Sequence, residues 1–205
     1  MNSKKISQIT AKIANEALSA TEENIQYSNH TGTIDYNGTE AKVNNATFIL
    51  RDGKIIWENG EWLEGTWNGG IWNGGVWHSG TWKGGTWKKG VWEYGIWKNG
   101  TWERGTWKLG TWYGGTWHNG VWLYGFWHDG VWENGEWNKG AWNNGLWKGG
   151  IHKNGEWYGG KFTEEDEKTS TWENGVWFKG IWDKGKWIKG QNLLRQEKYN
   201  NPNQW

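Results

Sequence analysis

The chain has no cysteine, one proline and one methionine among its 205 residues. Without cysteine there is no disulfide framework and no thiolate metal site, and the compartment stays open, since such a chain suits the cytosol, a virus particle or an extracellular setting equally. A dominant charge is also missing. The formal net charge is +1, from 23 Lys+Arg against 22 Asp+Glu spread along the sequence, so neither a basic stripe for nucleic acid nor an acidic surface imitating it is present. Long apolar runs are absent too: ISQITAKIANEALSA, near the N-terminus, is interrupted by Gln8, Lys12, Asn15 and Glu16, which rules it out as a signal-peptide core or a membrane span.

What the chain does have is 25 Trp and 34 Gly, far outside ordinary globular usage. From Ile56 to Gly190 it divides into 27 five-residue units, each Thr/Val/Ile, Trp, polar, polar or Gly, Gly. Trp holds the second place except at His152, Phe162 and Glu167, and Gly the fifth except at Glu165 and Ser170. The exceptions cluster in the acidic stretch 161–170, KFTEEDEKTS, which spans two units, so Trp172 resumes in phase.

A 3.6-residue period cannot keep a five-residue stripe on one face, and each helical Gly would cost about 1 kcal/mol relative to Ala. An antiparallel meander fails on parity. A three-residue strand aims both ends at one neighbour and cannot close tight hairpins on both sides without a bulge in every unit. It would also leave a face of tryptophans open to water. A parallel solenoid avoids both faults: Gly and Trp point inward, the β-branched residue points out, and places three and four turn the corner. On this reading Trp57, Trp62, Trp67, Trp72, Trp77, Trp82, Trp87, Trp92 and their successors form the core, each with its indole N–H bonded to a corner carbonyl or water. The recurrence, every fourth pentad, of Ile56, Val76 and Ile96, of Ile71 and Val91, and of Thr66, Thr86 and Thr106, favours four sides per coil over three. That gives nearly seven coils, a rod roughly 32 Å long.

Outside the repeat, residues 1–24 carry Ile6, Ile9, Ile13 and Leu18 at helical spacing, which predicts a short amphipathic α-helix acting as a dock or cap. Residues 25–55 read as polar and turn-rich until TFILRDGKIIW, where Asp52-Gly53 predicts a hairpin pairing Leu50 with Ile55 and Phe48 with Trp57. Residues 191–205 lose the pattern and read as a cap or flexible tail.

The arrangement small–x–large–x–x, as in GTWKG and GVWEY, resembles the pentapeptide-repeat proteins. That resemblance implies a right-handed, four-sided β-helix over roughly residues 56–190, with Trp in place of Leu or Phe and Gly in place of Ala. The style of repeat is also similar to Trp/Gly-repeat structural proteins of tailed bacteriophages. The fold expected is thus all-β, a right-handed parallel β-helix of Trp-Gly pentads with an N-terminal α-helix.

Candidate chemistry is sparse. His78, His118 and His128 occupy outward third places without HxxxH or HExxH spacing, and read as solvated residues rather than metal ligands. His152 reads as a filler in a Trp slot. The glycines lack the Lys-Ser/Thr of a phosphate-binding loop. Glu164, Glu165, Asp166 and Glu167 read as a solvated loop before a partner contact. Thr66, Thr86 and Thr106 form too short a rank for ice binding. No catalytic residue, cofactor or metal is expected.

These readings predict a non-enzymatic structural protein: a rigid spacer or attachment scaffold in a tailed-phage virion. It would dock to other structural proteins through Ile6, Ile9, Ile13 and Leu18 or the C-terminal tail, with room for a homo-oligomer and no nucleic-acid or membrane partner. The competing expectation is a carbohydrate- or surface-binding module that stacks ligands on Tyr94, Tyr113, Tyr124 and Tyr158.

Overall fold

The structure, a computed structural model, describes residues 25–36, 39–51, 54–165 and 169–193. The docking residues Ile6, Ile9, Ile13 and Leu18, the tail after residue 193, and Asp166 and Glu167 of the acidic run lie outside them. Three long strands lead in: β1 (Ile25–Tyr36), β2 (Thr39–Arg51) and β3 (Lys54–Trp67). Two- and three-residue strands follow, from β4 (Gly70–Trp72) to β27 (Gln191–Asn192), in a parallel β-solenoid of about 9 turns.

Each coil takes three pentads. Trp57 pairs with Trp72, Trp62 with Trp77 and Trp67 with Trp82, an offset of three pentads that persists through Trp132 with Trp147. The four-sided expectation is therefore corrected, and so is the coil count. At a strand spacing of about 4.8 Å, nine turns make a rod about 43 Å long. The four-pentad recurrence misled because the outward place is solvated and accepts Thr, Val, Ile or Glu alike, so its recurrence carries no register.

Backbone hydrogen bonds join coil to coil. In most pentads the first residue's N–H donates to a Gly carbonyl of the preceding coil, as Thr111 to Gly95 at 3.0 Å. The third residue's N–H donates to a Trp carbonyl of that coil, as Lys108 to Trp92 at 2.8 Å. Gly at the fifth place is demanded by this stacking as well as by the interior. Gly110 has φ +138, and a Cβ there would meet the carbonyl oxygen of Gly95 closer than real Cβ atoms come. Gly at this place, expected only to point inward, thus also belongs to the corner.

Twenty-two of the 25 tryptophans have at most 1% of their surface exposed. They stand in three columns. Along a column the rings lie nearly parallel: Trp87 and Trp102 are 4.8 Å apart between centroids at 4°, and Trp102 and Trp117 are 4.7 Å apart at 6°. Within a coil they meet edge to face, as Trp97 and Trp102 do at 6.0 Å and 74°. Both geometries are favoured by the aromatic quadrupole, adding about 0.5–1.5 kcal/mol per pair to area burial. Burying an indole of roughly 200 Å² contributes on the order of 5 kcal/mol before ordering entropy is subtracted.

This stacking sets ring orientation ahead of hydrogen bonding. The Trp97 indole N–H donates to the Gly114 carbonyl at the next coil's corner, 3.2 Å away. Trp82 and Trp117 bring their indole nitrogens beside Gly100 and Gly135, in a similar relation, without completing a bond. A corner carbonyl thus accepts from the indole at Trp97, whereas along most of the ladder, at Trp57, Trp87 and Trp132 as at Trp82 and Trp117, no protein group among the described residues does.

One end of the stack is closed by β1 and β2. Leu50 pairs with Ile55 and Phe48 with Trp57, the pairing that the DG signal predicts. β2 thus runs antiparallel over the first coil, and β1 runs antiparallel over β2. Phe48 stacks on Trp57 at 5.8 Å and 2°, and Tyr27 on Phe48 at 4.6 Å, which extends the first column two rings beyond the repeat. Residues 25–36 and 39–46, expected to be turn-rich, are strand because a cap buries one face only. Ile34, Ala41, Val43 and Ala46 suffice for it. At the far end Trp182 and Trp187 are only partly buried, and Asn192 holds the third core place in the last coil.

The irregular stretch is an enlarged coil. Ile151 pairs with Thr171 and Lys161 with Ile181, an offset of four pentads, before Thr171 with Lys186 restores three. Lys161 and Phe162 remain a coil side, with Phe162 stacked on Trp147 and Trp182. The excursion leaves after Phe162 and closes at Ser170, whose hydroxyl donates to the Thr163 carbonyl.

Candidate binding surface

A three-pentad coil turns the outward side chains into axial ladders, each residue above its counterpart one coil earlier. His78 sits between two carboxylates, with Nδ1 2.8 Å from Glu93 and Nε2 3.2 Å from Glu61, and Lys108 reaches Glu93 at 2.9 Å. The ammonium and the imidazole beside Glu93 hold its carboxyl below the usual range. Lys153 does the same for Glu136, and Lys161 and the Thr163 hydroxyl for Asp183. Lys148 reaches Glu133 and Glu165, so part of the acidic run is paired within the chain. These ladders are solvated ion pairs, and solvent screening leaves each a small contribution to stability. Among the described residues no three His or acidic side chains converge into a metal site.

The threonine rank weighed from the sequence does not form. Thr66 stacks under Thr81, Thr86 lies between Ile71 and Thr101, and Thr106 lies between Val91 and Val121, so the three stand on different sides. The rank that does form is Thr86–Thr101–Thr116.

His152 fills its Trp slot completely buried, 3.9 Å from the Trp172 ring at 4° and 6.0 Å from Trp137. Burial pushes its pKa down to about 3, so at neutral pH it is an uncharged ring in the second column.

The four candidate tyrosines separate into two kinds. Tyr113 has both faces covered: Lys98 Nζ lies 4.0 Å from its centroid, and His128 stacks on it at 4.7 Å and 3°. Tyr158 stacks on Phe178 at 4.6 Å and donates its hydroxyl to Glu156 at 2.7 Å, which raises its pKa. Tyr94 and Tyr124, 58% and 45% exposed, have no ring stacked on them among the described residues.

Tyr94 and Tyr124 occupy one corner of the rod two coils apart, with Leu109 between them. Beyond a lane of glycines, Gly95, Gly110 and Gly125, runs the parallel ladder Ile96–Thr111–Phe126. Seven of the ten large apolar side chains exposed among the described residues fall within residues 94–126. The tyrosines are visible in the sequence but the strip is not, since it needs the three-pentad register that places Leu109, Ile96 and Phe126 beside them. The signal was available in ions rather than apolar residues: Glu93 and Lys108, and Glu133 and Lys148, are opposite charges three pentads apart.

Comparison with protein-family models, with curated proteins and with solved structures finds no match for this chain.

Proposed function

We propose that the protein is a non-enzymatic structural rod, a stiff spacer or attachment scaffold in a larger assembly, and that the assembly is a tailed-phage virion. The observation that carries the reading is the aromatic column running from Tyr27 through Phe48 and Trp57 to Trp147 and Phe162. Side chains fill the coil from wall to wall, and outward residues are spent on axial ion pairs. Solenoids of this kind supply length and lateral surface, with stability close to a sum over neighbouring coils. We take the coil to be right-handed, the hand adopted by crossovers between parallel strands of one sheet. The phage setting is supported by the likeness of the Trp/Gly pentads to structural proteins of tailed phages.

In this proposal residues 1–24 attach the rod to its partner. Deleting them from the full chain should leave the far-UV and near-UV circular dichroism of the ladder intact and abolish incorporation into the assembly. Mass spectrometry of purified particles should find the chain at fixed stoichiometry. Recovery only as free protein, or collapse of the ladder in the deletion variant, would contradict the assignment.

A further inference from the structure

We propose that the ridge of Tyr94, Leu109 and Tyr124 is a docking site for a neutral, extended, β-linked glycan lying along the rod axis, its sugar rings stacked on the two tyrosines. This use is independent of the assembly role.

Three features point to that occupant. The first is spacing. Two coils separate Tyr94 from Tyr124, so they stand about 9.6 Å apart at a strand spacing of about 4.8 Å. That is close to the two-sugar repeat of an extended β-linked pyranose chain, which presents the same ring face at every second unit. Leu109 lies beneath the intervening sugar. Equatorial substitution leaves axial C–H groups on the faces of such rings, and these carry partial positive charge toward the negative face of a tyrosine.

The second is size. Three rungs about 4.8 Å apart and three residues at about 3.3 Å give a strip of roughly 140 Å², against about 800 Å² per partner in a stable protein interface. The strip suits a chain one sugar wide better than a second protein. It also stops short at both ends: the same corner carries Ser79 one coil before Tyr94 and Lys139 one coil after Tyr124.

The third is charge. The ions at the margin are already engaged, Glu93 with Lys108 and His78, and Lys98 with the Tyr113 ring. The strip itself carries none, which fits an uncharged ligand. Thr111, between Ile96 and Phe126, brings the one hydroxyl of that flanking ladder.

The test is calorimetric titration of the full chain with cellohexaose, and with maltohexaose as the helical α-linked counterpart. The expected result is saturable binding of cellohexaose, weakened about tenfold or more in the Tyr94→Ala/Tyr124→Ala double variant. Binding should be retained in Tyr94→Phe/Tyr124→Phe, which keeps the rings, and in Tyr158→Ala, whose ring is already covered. Near-UV circular dichroism confirms that each variant keeps the core. The proposal is overturned if cellohexaose does not bind, if the double alanine variant binds as well as the parent, or if maltohexaose binds as tightly. It is equally overturned if the parent self-associates in sedimentation and the double alanine variant does not, since the strip is then an interface between copies.

Discussion

Trp97 lies on Trp112 with centroids 4.7 Å apart and ring planes 6° from parallel, although three pentads separate them in sequence. The contact repeats along three columns, so each interior indole is held by a ring above, a ring below and an edge on either side. An interior ring should therefore matter more than a terminal one.

Trp102→Ala is expected to cost about 3–5 kcal/mol, because it opens an indole-sized cavity in a core that cannot collapse between fixed rungs. Trp187→Ala, in the last coil with its ring partly exposed, should cost less than half as much. Urea unfolding of the two variants makes the comparison.

Glycine substitutions should divide by place in the pentad. Gly110→Ala combines a positive φ with overlap on the Gly95 backbone and is expected to cost about 2–3 kcal/mol. At Gly114 a Cβ would meet only the Lys98 carbonyl at 3.7 Å, an ordinary contact. Gly114→Ala should be neutral or stabilising by about 0.5 kcal/mol, through the unfolded chain. Thermal melts of the pair separate the two outcomes.

Acid should act through His152. The unfolded chain binds its proton near the ordinary value of 6.5, whereas the folded chain resists until about pH 3. The unfolded state therefore holds more protons between these values. Stability is complete above pH 6.5 and is lost as pH falls through that window, at about 1.4 kcal/mol per unit. By pH 4.5 the parent should have lost about 3 kcal/mol more than His152→Phe, read from urea midpoints at pH 7 and 4.5.

The phase of the ladder should matter more than the length of the excursion. Deleting residues 164–168, one pentad's worth, restores a three-pentad coil and should leave the melting temperature within a few degrees of the parent. Deleting one residue fewer would carry Trp172 and every later ring off the columns, and should unfold the C-terminal coils.

How far the sequence reached follows from which residues are constrained. Trp at every fifth place admits few environments, so the buried ladder and the parallel coil were legible, as was the Phe48–Trp57 pairing that the Asp52-Gly53 signal predicts. The number of sides was not, because a strict pentad looks the same with three units to a coil as with four, and only ladders such as Glu93 with Lys108 tell them apart. Outward apolar residues such as Leu109 and Phe126 look like scatter until the register gathers them on one edge.

Collisional quenching of tryptophan fluorescence by acrylamide tests the buried ladder most directly. Sequestered rings predict blue-shifted emission, with quenching confined to a small minority of the 25 indoles, Trp182 and Trp187 among them. Red-shifted emission in which most indoles are quenched in the folded protein would contradict it.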